Sequence, residues 1–187
     1  MGEEGFLNCY KEHLKNAFEN KNLYTNIEYK EYKKTGILTD LAHNRLIPQK
    51  QEGLYSVYFH PICGQLYMST YKLLIDKLEN MEDIEIRLSM NEGMYIRNLN
   101  GNEANELIEL TQHLGGETKL EQSVSCIGAN ICQIGIADSQ GMLEEILKYF
   151  KEQNFTSDIL PKIRISGCTN SCGTHQMGIL GFAGKKK

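Results

Sequence analysis

Residues 125–139, SCIGANICQIGIADS, and residues 165–184, ISGCTNSCGTHQMGILGFAG, carry four of the six cysteines of the chain. They form two pairs, Cys126 with Cys132 and Cys168 with Cys172, spaced C-x5-C and C-x3-C, with 35 residues between Cys132 and Cys168. Disulfides, zinc, an iron–sulfur cluster and plain buried thiols are the candidate uses. A structural zinc ion favours pairs with two to four residues between ligands, because both thiolates must reach one small tetrahedral ion. The second pair fits that rule and the first fits it poorly. A cubane cluster is larger and offers separate iron corners, so its four thiolates can come from wider loops. Gly128, Ala129, Gly135 and Ala137 flank the first pair, and Gly167, Ser171, Gly173 and Gly178 the second. Small residues let the backbone approach bulky sulfur and donate N–H hydrogen bonds to it. Free cysteines are also often buried and inert, and spacing alone leaves that alternative open.

Outward from the cysteines, the hydrophobic pattern gives the fold class. Phe6, Tyr10, Leu14, Ala17 and Phe18 recur at helical spacing. The pattern weakens from Asn22 to Asn44, where Tyr24, Tyr29 and Tyr32 read as packing residues on short helices. Alternation through Leu54–His60 predicts a strand that Pro61 and Gly64 end. Tyr71, Leu74, Ile75 and Leu78 predict a helix with Ser69 as a candidate N-cap. IEIRLS and GMYIRNL read as two strands joined at MNEG. Leu107, Leu110, Thr111 and Leu114 mark the buried side of a further helix that ends at Gly115 and Gly116. A second unit starts near Glu121: a strand or loop at SVSCIG, a helix over SQGMLEEILKYFKEQ capped by Asp138, a strand at KIRIS and another at MGILGFA. The expected class is α+β, with an antiparallel sheet covered by helices in the first unit. The expected divisions are a helical connector at 1–50, an antiparallel half-domain at 51–116 and a cysteine-bearing domain at 117–187.

The 187 residues suffice for one domain with a real core or two small ones. Charges are mixed in sign with a net of -4, which disfavours a nucleic-acid surface. No apolar run is long enough to span a bilayer. The first twenty residues contain no apolar signal core, and Phe6 stands where a myristoylation motif wants Ser or Thr. A cytoplasmic location is expected. In a reducing compartment, clustered cysteines read better as metal or redox groups than as disulfides.

The motif CIGANIC…GCTNSCGTHQMGILGFAG resembles the cluster-binding segment of siroheme-dependent nitrite and sulfite reductases. PQKQEGLYSVYFHPICGQL followed by IEIRLSMNEGMYI resembles the ferredoxin-like half-domain that precedes the second cluster-binding domain in that family. The resemblance runs from Ile47 to Gly184, and PQKQEG leans towards the ferredoxin-dependent nitrite reductase branch. It implies a [4Fe–4S] cluster on Cys126, Cys132, Cys168 and Cys172, with Cys172 also the thiolate shared with the siroheme iron. It further implies that Asn170 lies near the cofactors. Arg87 matches an arginine before the family's T-x-x-Q stretch and would meet a siroheme carboxylate. The implied reaction is the six-electron reduction of nitrite to ammonia or of sulfite to sulfide, with a ferredoxin-type donor. An electron-transfer module inactive on its own is the alternative.

The sequence departs from the family pattern in three ways. Ser89 and Glu92 replace the threonine and glutamine of T-x-x-Q, and a carboxylate would repel a polyanionic cofactor unless protonated or paired. Only the second of the family's two tandem units has a counterpart, so the residues expected to bind the anionic substrate are missing and no catalytic residue is assigned. The chain stops soon after GFAG, so the cysteine domain is expected to be incomplete at its C-terminal side. His175 reads as a polar loop residue and His60 as a strand-end histidine. Arg97 reads as solvated, and Cys9 and Cys63 as ordinary thiols.

Overall fold

The computed structural model describes residues 2–20 and 33–186. The tyrosines at 24, 29 and 32 lie outside the described residues. The chain forms two units that divide between residues 32 and 33. The first contains α1 (Glu3–Glu19), the helix that the N-terminal spacing predicts. It starts without a side-chain cap, and its apolar stripe leaves no residue buried.

The second unit contains everything else. Its first sheet is antiparallel with strand order β1-β2-β4-β3, formed by β1 (Leu46–Pro48), β2 (Leu54–Phe59), β3 (Glu85–Leu88) and β4 (Met94–Asn100). β2 is buried on both faces along its whole length. One face meets α2 (Met68–Leu78) and α3 (Gly101–Thr111). There Val57, Phe59, Ile96 and Leu99 pack with Leu74, Leu78, Ala104 and Leu107. Burying such side chains is worth roughly 1.5–3 kcal/mol each, which makes this the main core. β4 carries a bulge: Val57 pairs with Ile96 and Tyr55 with Leu99, so Arg97 and Asn98 face Ser56 alone. Asn98 takes φ of +62° there, a conformation that asparagine tolerates better than most residues.

Helix boundaries follow local chemistry. α3 opens with a capping box: Asn100 Oδ1 accepts from the Glu103 N–H at 3.0 Å and Glu103 Oε2 accepts from the Asn100 N–H at 2.8 Å. α2 differs from expectation. It begins one residue before Ser69, after Tyr67, and has no side-chain cap; Ser69 therefore sits inside the first turn.

The second sheet is small and parallel, in the order β5-β6-β7, formed by β5 (Val124–Ser125), β6 (Ile163–Ser166) and β7 (Leu180–Ala183). α4 (Ser139–Glu152) connects β5 to β6, as parallel strands require. Its Leu143 packs with Leu120, Ile163, Ile165 and Cys63. Cys63 comes from the short 3₁₀ turn at Ile62–Gly64, just after β2. One side chain of the first half of the unit thus helps fill the core of the second.

Candidate functional site

Both cysteine loops leave from ends of the parallel sheet. Cys126 directly follows β5, and its N–H donates to the Ile165 carbonyl at 3.0 Å, extending the ladder. The loop after it folds on its own backbone. The Cys132 N–H donates to the Gly128 carbonyl at 2.8 Å, and the Gly135 N–H to the Cys132 carbonyl at 3.0 Å. Gly128 sits at φ +64°, and a Cβ there would lie 2.7 Å from both the N and Oγ of Ser139. Glycine meets both demands at once. Asp138 caps α4 as its position in the sequence implies, with Oδ1 accepting from the Gly141 N–H at 2.9 Å; Oδ2 also accepts from Asn130 Nδ2 at 2.7 Å.

The two loops are stapled together beside Cys168. The Gly167 carbonyl accepts from Ile136 N at 3.0 Å and from Ala137 N at 2.8 Å. A Cβ on Gly167 would stand 2.6 Å from the Ala137 carbonyl oxygen, so only glycine permits this approach. Between Cys168 and Cys172 the chain turns sharply, with φ of +63° at Ser171 and +51° at Thr174. Gly173 N donates to Ser166 Oγ at 3.1 Å, and His175 Nδ1 stands 2.9 Å from the same oxygen. His175 is thereby tied to its own loop, in keeping with a polar loop role.

These loops enclose a cavity of about 360 Å³ whose wall includes Cys126, Cys132, Cys168 and Cys172. Gly128, Gly135 and Gly167 form part of the lining. Two apolar side chains of the first loop, Ile127 and Ile134, also reach it. Asn170 lies on the wall with the four thiols; it and Cys172 are exposed, whereas Cys168 is buried. Among the described residues, no three His, Cys, Asp or Glu side chains come close enough to chelate a single metal ion.

Cys126 has the most elaborate surroundings. Its Sγ lies 3.1 Å from Ser139 Oγ and accepts from the Gly167 N–H at 3.1 Å. Burial raises its pKa, but the hydrogen bonds from Ser139, Gly167 and Gly128 outweigh burial and leave the thiol below its ordinary value. Hydrogen bonds that favour the charged form prepare a sulfur to act as a thiolate ligand.

Arg87 is not at the cavity. It lies on β3, the edge strand, where its Nη2 pairs with Glu85 Oε1 at 2.9 Å and its side chain is 60% exposed. Arg97 joins the same carboxylate group, Nη1 to Oε2 at 2.9 Å.

Three further wall residues bear on the chemistry of the site. Cys63 is a fifth thiol on the cavity, 2% exposed and at φ +54°; burial, with Glu144 and Glu92 nearby, pushes it up to about 12. That keeps it a neutral thiol at ordinary pH. Glu92 is the carboxylate that departs from T-x-x-Q. Its Oε2 accepts from the Ser125 N–H at 3.2 Å. Burial raises its pKa, and the Ser125 N–H and Arg164 offset part of the rise. Ser125, the last residue of β5, is the third. Nothing in the local sequence signals Cys63, and Glu92 is signalled only by its place in the T-x-x-Q stretch, since each reaches the site from dozens of residues away. Ser125, adjacent to Cys126, is signalled by its place in the cysteine motif.

The chain matches no family model. It is 26% identical over 126 residues to the sulfite reductase [NADPH] hemoprotein beta-component of Bacillus subtilis (strain 168), covering 62% of this chain and 22% of that protein. It is also 26% identical over 148 residues to the chloroplastic ferredoxin–nitrite reductase of Spinacia oleracea, covering 73% of this chain and 24% of that one. Over this span the chain is similar to nitrite and sulfite reductases of both kinds. The fold agrees: it superposes on the Mycobacterium tuberculosis NirA protein with a TM-score of 0.63 at 20% identity, over 81% of this chain and 29% of that one. The match thus spans about a quarter of the length of these reductases. Among the described residues, no helix is long and apolar enough to cross a membrane.

Proposed function

We propose that residues 117–187 bind a [4Fe–4S] cluster through Cys126, Cys132, Cys168 and Cys172, and that residues 51–116 are the half-domain that supports them. The observation that carries this reading is the shared cavity. Four thiols from two separate loops line one space, set among glycines. A body several ångströms across with a metal at each corner can draw its ligands from two such loops. The donor type is also right, since thiolates are the usual ligands of such clusters. When bound, the cluster supplies one-electron transfer. The chain supplies the thiolates, N–H donors to Cys126, and loops already closed by the hydrogen bonds of Gly167.

Siroheme fits this chain less completely. Cys172 is exposed, with Asn170 also on the wall, which supports a thiolate shared with a second cofactor. Among the described residues, the cavity wall carries no Lys or Arg, and its carboxylate, Glu92, is not a partner for a tetrapyrrole with eight carboxylates unless it holds a proton. Arg87 remains a proposed siroheme contact on family resemblance alone; reaching it requires breaking the pair with Glu85. Other cationic partners would come from outside this chain.

The reaction of the complete assembly is then the six-electron reduction of nitrite to ammonia or of sulfite to sulfide. Relatives of both kinds are found, with NADPH in the name of one and ferredoxin in the name of the other. An electron-transfer module without activity of its own is the second reading, favoured by the short span relative to the reductases. Anaerobic purification from a host that makes siroheme, with analysis of iron, sulfide and zinc and an absorption spectrum, tests both. Iron and sulfide in equal amounts, about four each per chain, are expected. A haem band in addition favours the reductase reading, and its absence favours the module. Zinc without iron refutes the cluster.

A further inference from the structure

Buried polar groups in a folded protein are nearly always hydrogen-bonded, and an exception calls for a cause. Among the described residues, seven buried side-chain nitrogen or oxygen atoms lack a partner. Of these, only Ser125 Oγ belongs to a residue on the wall of the cysteine cavity. Ser125 is 2% exposed, so bulk water does not satisfy it. Two other polar residues on the wall are already engaged. Gln140 donates to the Cys63 carbonyl at 3.1 Å and accepts from Gln65 Nε2 at 2.9 Å. Ser166 Oγ accepts from the Gly173 N–H at 3.1 Å.

The backbone leaves Ser125 no easy escape. Its own N–H is held by Glu92 Oε2 at 3.2 Å, and the next N–H, of Cys126, by the Ile165 carbonyl at 3.0 Å. Pairing with Ile165 in the parallel ladder fixes the strand on one side. The hydroxyl can rotate, but the residue cannot turn away from the cavity without breaking these bonds.

We propose that Ser125 is a tuning residue: its hydroxyl donates a hydrogen bond to a sulfur of the cluster held by the four cysteines and raises the cluster's reduction potential. The proposal rests on the cluster reading given above. Thiolates and bridging sulfides carry no hydrogen, so they can only accept, and a hydroxyl is the complementary donor. Reduction adds one electron and makes the sulfurs more negative. A donor therefore favours the reduced form over the oxidised one, and hydrogen bonds to the sulfurs are among the known determinants of such potentials. No covalent bond forms or breaks, and the couple is one electron with no proton.

The test is a potentiometric titration of the anaerobically purified full chain, followed by electron paramagnetic resonance, with iron and sulfide counted for every sample. Ser125→Ala should lower the midpoint so that the reduced-to-oxidised ratio at fixed potential falls about tenfold, about 59 mV for one electron. Ser125→Thr keeps the hydroxyl and should match the unsubstituted protein. Ser125→Val, the same size as Thr without the hydroxyl, should match Ala and decides the question if Ala folds poorly. Loaded Ala and Val proteins with an unchanged midpoint overturn the proposal. So does loss of iron and sulfide in Ala and Val but not Thr, which makes the hydroxyl structural only. An unsubstituted protein without iron and sulfide overturns the cluster reading itself, a result distinct from the other two.

Discussion

Gly128→Ala should destabilise the chain before any cofactor is considered. Gly128 holds φ +64°, where a residue with a Cβ costs about 1–2 kcal/mol. The added Cβ would also stand 2.7 Å from the N and Oγ of Ser139, inside any normal contact distance. Ser139 is the first residue of α4, and its Oγ donates to the Cys126 carbonyl at 2.7 Å. Pushing Ser139 aside would sacrifice that bond, worth about 1 kcal/mol. The two contributions give a loss of about 2–3 kcal/mol. Urea unfolding of the reduced, metal-free protein, followed by circular dichroism, would read this as a lower midpoint at unchanged slope. Gly128→Asn separates the causes. Asparagine tolerates the left-handed region, so it should recover about 1 kcal/mol of backbone strain and leave the collision. If Gly128→Ala unfolds within about 0.5 kcal/mol of the parent, the range of an ordinary surface substitution, the loop is not held as described.

Other perturbations reach different parts of the molecule. His60 is 0% exposed and burial lowers its pKa from 6.5 to about 4; below pH 6.5 the unfolded chain takes up a proton that the folded chain refuses. That contribution is complete above pH 6.5 and is lost as pH falls towards 4, a drop of about 3 kcal/mol, and His60→Leu should flatten stability over that window in pH-dependent urea titrations. Asp138→Ala removes the α4 cap and the Asn130 contact and should cost about 1 kcal/mol, read as a lower thermal midpoint. Asn100→Ala should cost a similar amount through the α3 capping box, with no effect on iron content. Cys172→Ser should leave the metal-free fold intact, because Cys172 is exposed, but should cut bound iron and sulfide by more than half; full loading would remove Cys172 from the ligand set.

Much of the fold was legible where a local rule acts alone. The periodicity of Leu74 and Leu78, the alternation of Leu54–His60 and the capping aspartate at Asp138 each depend on neighbours within one or two turns. The four cysteines were legible because their spacing and small neighbours are themselves local. Cys63 was not, and Glu92 was legible only through its place in the T-x-x-Q stretch. They reach the cavity only because the turn after β2 packs into the core beneath the second sheet and because the β3–β4 turn folds towards β5. No periodicity records such a meeting. The strand at Leu46–Pro48 was missed for a related reason: three residues are too few to show alternation, and pairing with β2 defines them. Ser69 misled because serine favours an N-cap in general, while the chain here enters its helix at Tyr67 without one.

The arrangement of the loops bears on how a cluster would be acquired. Gly167 binds two N–H groups of the first loop, and Cys126 is held by the ladder to β6. These bonds tie the two loops together through the peptide backbone. A single ion would have to draw all four sulfurs to about 2.3 Å from one centre, and the backbone bonds of Gly167 and Gly128 resist that contraction. A larger body asks for less movement, because each sulfur stays near its own wall. Gly128 takes its positive φ freely, whereas Ser171 and Thr174 carry side chains at positive φ, which persists only where the surrounding structure enforces it. The glycine at 128, which lets the first loop pack on Ser139, and the hydroxyl at 125, which the protein leaves unpaired, are therefore the places to probe the site.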